Sequence, residues 1–124
     1  MKGVVVTTDL DIRVEDFTDP LYKTVGAAVD GYIEHVHPIR LEEPFCMIVN
    51  DEGRLRGLPR NLAGSFLYGT DIHCEPIVGN IVIMKDGYRN GEPDIVGLTD
   101  EEIERVQYSM STLLKSLRPK GEST

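Results

Sequence analysis

The chain has 124 residues, 40% of them hydrophobic and 27% charged, with a formal net charge of −8. That length holds one ordinary domain and that composition is globular, which excludes a disordered chain. The negative charge repels polyanions, so direct binding of nucleic acid or an anionic lipid surface is not expected, and no apolar run reaches the about 18 residues of a membrane helix.

The opening "MKGVVVTTDLDIR" has three valines before its first acid. A signal peptide needs about 7–15 apolar residues there, so a cytoplasmic protein is expected. Cys46 and Cys74 fit a reducing compartment and do not suggest a disulfide framework.

Taken in chain order, residues 3–7 and 10–15 read as strands, the second with strict alternation of apolar and charged positions, and Thr8 and Asp9 make the bend of a hairpin. In "TDPLYKTVGAAVDG", Asp19 suits a helix N-cap and Pro20 its first position. Leu21, Val25, Ala28 and Val29 share a face, and Gly31 is placed to end the helix with a positive φ. "YIEHVHPI" is a strand with Tyr32, Glu34 and Val36 on one side and Ile33, His35 and His37 on the other, stopped by Pro38.

"PFCMIVN", 44–50, reads as a buried strand. "DEG" then turns, with Gly53 supplying an unusual φ, and "RLRGL" returns as a strand, which predicts a hairpin centred on 51–53. A short helix over 59–68 is weakened by Gly64, and 70–76 is loop by composition. "IVGNIVIMK", 77–85, is the most apolar strand and the expected centre of the sheet, and "DGYRNGEPD" is a turn-rich connection.

The last element carries the fullest local code. Thr99 and Glu102 form a capping box, and Leu98 and Ile103 a hydrophobic staple. Ile103, Val106, Met110, Leu113, Leu114 and Leu117 trace one stripe, with Asp100 and Glu101 early and Lys115 and Arg118 late, as the helix dipole favours. Pro119 stops it. The expected fold is a single α+β domain over 1–118, a small mixed or antiparallel sheet with two helices, the C-terminal one packed on the sheet, and a flexible tail over 119–124.

Candidate chemistry is sparse. There is no nucleophile elbow, no phosphate loop and no EF-hand spacing, although Asp86, Glu92 and Asp94 are oxygen donors that could hold a divalent cation. No cofactor is expected. His35 and His37 share a strand face and, with His73 and Cys74, make a set of four metal-ligand types; against that, His73 and Cys74 are adjacent and would point apart in a strand. The remaining polar cluster lies in "VNDEGRLRGLPRN", 49–61. Arg60 offers a planar fork for an anion, and Asn50 and Asn61 can donate and accept toward a polar ligand. The same residue types fit a purely structural role, with Asn50 in an Asx-turn and Asn61 capping the next turn of the chain.

"GYIEHV", "IVNDEGRLRGLPRNLAG", "IVGNIVIM" and "GLTDEEIE" occur in this order. Together they resemble the family catalogued as domain of unknown function 3846, small proteins of bacteria, phages and mobile elements. The most specific part is Asn50 to Gly53 with Leu58 to Ala63 after it, and Val78 to Asn80 is a weaker marker. The resemblance implies a shared fold and a phage or mobile-element setting. It implies no activity, and it does not reach His73 and Cys74.

The leading expectation is a non-enzymatic cytoplasmic binding protein whose partner is a host protein or a small polar, nucleotide-like ligand at the 50–61 turn, touching Arg60 and Asn61 with Asn50 and Asn80 nearby. The alternatives are a small metal-dependent hydrolase built on His35, His37, His73 and Cys74, and an acidic anti-restriction or anti-defence decoy. A homodimer is expected as a way to cover exposed sheet edges.

Overall fold

Runs of β-branched and long apolar residues dictate the middle of the molecule. The structure is a computed structural model that describes residues 1–117, with His73 described by its backbone alone. The expected tail at 119–124 and the helix stop at Pro119 lie outside the described residues. "KGVVV", "FCMIVN" and "IVIMKDGYR" become β1 (Lys2–Val6), β4 (Phe45–Asn50) and β5 (Ile81–Arg89). The other strands are β2 (Ile12–Asp16), β3 (Ile33–Val36) and β6 (Glu92–Val96); the helices are α1 (Leu21–Val29), α2 (Leu62–Tyr68), α3 (Thr70–His73) and α4 (Asp100–Leu117).

The fold is α+β, on one antiparallel sheet of order β2-β1-β5-β4-β3, with β6 also paired to β5. β5 is central, as its composition predicts. Its residues 81–83 pair with β1 and 85–89 with β6, while β4 takes the opposite edge over 82–85. β1 and β6 therefore lie end to end along one side of β5. β2 and β3 end the path.

Side-chain alternation sends each central strand into two cores. Val4, Val6, Met47, Val49, Ile81 and Ile83 meet α2 and α4 on one face. Val5, Cys46, Ile48, Val82 and Met84 meet α1 on the other. The sheet is thus the middle of three layers, and β4 is buried along its whole length. Each fully buried aliphatic side chain contributes about 1.5–3 kcal/mol, which is where most of the stability resides.

The main departure from expectation is at 51–58. No strand returns there. Both edges of β4 are already taken, by β3 and β5, so a third strand has no hydrogen-bonding row to join. The segment instead coils through successive turns, with Arg56 N–H donating to Glu52 O at 3.0 Å and Leu58 N–H to Gly53 O at 3.0 Å. Gly53 serves close approach rather than φ: a Cβ there would lie 2.7 Å from Val78 Cγ2. The left-handed residue is Gly57, at φ +67.

Other differences have local causes. Asp19 does not cap α1; Arg89 holds its carboxylate at 2.7 Å, and Pro20 stands at the cap without a side-chain bond. Asp30, not Gly31, takes the left-handed conformation that ends α1, at φ 66. α2 begins at Leu62, later than the 59–68 reading. Residues 70–73 form one helical turn where loop was expected, and β5 begins at Ile81 rather than 77. β5 also runs on to Arg89 and folds back into β6 through Asn90 and Gly91, both at positive φ (54 and 80). That is a two-residue type I′ hairpin of the Asn-Gly kind.

The C-terminal helix obeys its code. Thr99 N–H donates to Glu102 Oε1 at 2.8 Å, and Glu102 N–H to Thr99 Oγ1 at 3.2 Å. Lys85 Nζ reaches the same Glu102 oxygen at 2.8 Å, tying the cap to the central strand. Lys85 first, and then the Thr99 N–H, hold the Glu102 carboxyl below its ordinary range. A depressed folded-state value means a contribution that is complete above the unfolded value of about 4.3 and is lost as pH falls through the folded one. Glu102→Gln is therefore expected to flatten that part of the acid limb in thermal melts taken from about pH 6 downwards. A constant wild-type-to-variant difference over that range would contradict the coupling.

Candidate functional site

Asparagine has one acceptor and two donors on its carboxamide. At Asn61, the N-cap of α2, all three are used on backbone: Nδ2 donates to Val6 O and Gly79 O, each at 3.0 Å, and Oδ1 accepts from Gly64 N–H at 2.9 Å. The residue is 0% exposed. Asn50 is spent in the same way. Its Nδ2 donates to Val29 O (2.9 Å) and Asp30 O (3.0 Å), and its Oδ1 accepts from Glu52 N–H (2.8 Å) in an Asx-turn. Asn80 is half-buried and accepts from Thr8 N–H at 3.2 Å. Arg60 is exposed; its backbone bridges Val78, and its side chain has no hydrogen bond or ion pair among the described residues.

The four residues expected at one ligand therefore serve separate tasks. Asn61 ties β1, α2 and the 77–80 segment together, Asn50 seals the end of α1 against β4, and Arg60 faces solvent. The cavity beside Asn50 holds about 150 Å³, below the about 300–1,000 Å³ of most small-molecule sites, and Arg60, Asn61 and Asn80 do not line it.

His35 and His37 do share a face, as their spacing predicts. Their partner is Asp86: His35 Nε2 lies 2.9 Å from Oδ1 and His37 Nε2 2.8 Å from Oδ2. Cys46 lies beneath. Burial first, and then the neighbouring Asp86, push its thiol up to about 12, so it stays protonated at neutral pH. Cys74 of the expected set does not join them. His35 stands opposite Ile48 on the α1 face of the sheet, whereas exposed Cys74 comes after α3, which packs on α2 at the other face. The side chain of His73 lies outside the described residues. In the sequence Asp86 stands out only beside Glu92 and Asp94. Its place at the histidines comes from the β3-β4-β5 register, which no local pattern announces.

A larger concavity lies between α2 and α4. It holds about 380 Å³ and is lined by Leu41, Phe45, Leu67, Val106, Met110 and Leu113, with Arg40, Glu42, Phe66, Arg105 and Ser109 around it. The Arg40 guanidinium stands 4.5 Å over the Phe66 ring, and that of Arg105 5.8 Å from the Phe45 ring. Arg40 also grips Asp71 with both nitrogens, at 2.7 and 2.8 Å, and Arg105 reaches Glu42 at 3.0 Å. Sequence reasoning missed this groove because its residues come from four segments with no shared spacing.

A family model matches residues 1–111, from β1 into α4. The chain belongs to the family Domain of unknown function (DUF3846). The match takes in the whole of 49–61 and the 78–80 step, so the stretch that carries the resemblance is the one this DUF3846 domain uses to join its layers. Among curated proteins and among solved structures, nothing matches the chain.

If the family's marker stretch is a clasp, its stability cost separates by residue. Asn61→Ala strands three backbone groups and is expected to cost about 3 kcal/mol or more in urea unfolding, while Arg60→Ala stays within about 0.5 kcal/mol. An Arg60 effect larger than that of Asn61 would reverse the assignment.

Proposed function

We propose that this DUF3846 domain is a non-enzymatic binding protein that takes a small polar, nucleotide-like ligand in the groove between α2 and α4. The observation that carries the reading is the doubled guanidinium-over-ring arrangement at that groove, Arg40 with Phe66 and Arg105 with Phe45. A planar base is matched by apolar and aromatic walls, and a phosphate by two guanidiniums, which bind phosphate in a planar fork. The volume of about 380 Å³ suits a ligand of that size.

The carboxylate that holds Arg105 is no strong obstacle. In the Arg105–Glu42 pair both side chains are exposed, at 60% and 72%, and such pairs contribute about 0–1 kcal/mol; Asp71 grips the less exposed Arg40 with both oxygens and is the firmer of the two. A ligand phosphate carries more charge and can displace Glu42 from Arg105 at small cost. The Ser109 hydroxyl at the rim adds one more donor.

The setting we propose is cytoplasmic, in a phage or mobile element. It rests on the family resemblance; no helix among the described residues is long and apolar enough to cross a membrane.

A thermal-shift series over mono-, di- and cyclic nucleotides tests the proposal. A ligand at 100 times its Kd stabilises by about 2.7 kcal/mol, and Arg105→Ala is expected to abolish the shift while leaving the ligand-free melting temperature nearly unchanged. No shift with any nucleotide, or an equal shift in the variant, would overturn the groove as the ligand site.

A further inference from the structure

The α1 face of the sheet is covered by α1 only in part, and metal-ligating side chains gather at its open end. The register sets Cys46 opposite Met84 and His35 opposite Ile48, and positions two apart share a face. His35 of β3, Cys46 of β4 and Asp86 of β5 are thereby brought to one place, and His37 follows one residue past the end of β3. Above them is a cleft of about 440 Å³, bordered also by Gly87, Pro93, Asp94 and Ile95.

One carboxylate stands between two imidazoles. The Nε2 atoms lie 2.9 and 2.8 Å from its two oxygens, and the ring centroids are 4.6 Å apart. On the core side, a nitrogen of His35, an oxygen of Asp86 and the Cys46 Sγ all lie within 4.8 Å of one another. We infer that His35, His37, Asp86 and Cys46 form a site for a divalent transition-metal ion of the zinc type.

The donor set selects the ion. Imidazole and thiolate suit zinc and its neighbours, whereas magnesium and calcium demand oxygen ligands. Two nitrogens, one oxygen and one sulfur complete a tetrahedron. Bond lengths of about 2.0–2.3 Å put the ligand atoms about 3.3 Å or a little more apart, so around Oδ1 the His35 contact opens by about half an ångström, while His37, which sits on Oδ2, turns toward the ion and the sulfur draws in. Three of the four groups sit at the rim, where β3 is half-exposed and its end can give. On binding, the ion replaces the hydrogens between the imidazoles and the carboxylate. Each neutral ring moves its single proton from Nε2 to Nδ1, which frees Nε2 for the ion, and the Cys46 thiol releases one proton to solvent. Carboxylate and thiolate then balance the two positive charges, so the site is neutral where it is partly buried. This inference does not depend on the α2–α4 groove, which lies on the other face.

The test titrates the full chain with Zn²⁺ by calorimetry and with Co²⁺ by absorption spectroscopy. The expected result is one ion per chain with a Kd of about 1 μM or tighter, and a cobalt spectrum with tetrahedral d–d bands and a thiolate-to-cobalt charge-transfer band. His35→Ala, His37→Ala and Asp86→Asn should each weaken binding by about tenfold or more, and Cys46→Ser should remove the charge-transfer band. Far-ultraviolet circular dichroism checks that each variant is folded, and His73→Ala with Cys74→Ser should bind as the wild type does. No binding by the folded wild-type chain overturns the site. So does binding that survives the first three substitutions but is lost in the His73/Cys74 variant. A cobalt complex without a thiolate band overturns the four-ligand set by removing Cys46 from it.

Discussion

The carboxamide of Asn61 is the constraint on which the layers depend. It is fully buried, and its three bonds run to β1, to the segment that leads into β5, and to the first turn of α2. A carboxamide buried without partners costs several kcal/mol, so the three elements can come together only in the arrangement that satisfies it. The neighbouring backbone repeats the pattern: Asn61 N–H donates to Ile77 O at 2.9 Å and Gly79 N–H to Pro59 O at 2.7 Å. Ser65 extends it, accepting from Ile77 N–H at 3.0 Å and donating to Ile77 O at 3.2 Å. α2 is only two turns long and its first turn has no acidic residue, so this clasp supplies the anchorage that its dipole and propensity do not.

The clasp places α2, and with it the groove. α2 lies beside α4 on one face, and the gap between them, over Phe45 of β4, is the guanidinium-flanked concavity. On the other face α1 is short and is closed off by Asn50 at its C-terminal end, which leaves the far end of the sheet open around His35, His37 and Asp86. The Asn50 and Asn61 side chains of the family's marker stretch are consumed in holding the layers, while the α2–α4 groove is lined by residues with no notable sequence pattern.

What was legible in the sequence was what is local. The Thr99–Glu102 box, the staple and the apolar stripe of α4 need only residues within a few turns of one another, and all three are present. The strand alternation at His35 and His37 was likewise readable. The hairpin centred on 51–53 does not form, although turn residues leading into "RLRGL" satisfy every local rule for one; the fact that excludes it, that β3 and β5 already hold both edges of β4, is non-local. The β5–β6 hairpin was missed for the opposite reason. Asn90-Gly91 is a strong local turn signal, but Gly87 and Pro93 beside it weakened the strands that flank it. Asn50 and Asn61 were open to a ligand role or a structural one on residue type, and only the identity of their partners separates the two.

The central claim is that 49–61 is a clasp belonging to the cooperative core and not a ligand loop. Native-state hydrogen exchange of the Gly64, Ile77, Gly79 and Asn61 amides tests it most directly. These four N–H groups are predicted to exchange only through global unfolding, with the same free energy and denaturant dependence as the amides of β5. Exchange through a local opening, at a free energy well below the global value and insensitive to denaturant, would contradict it.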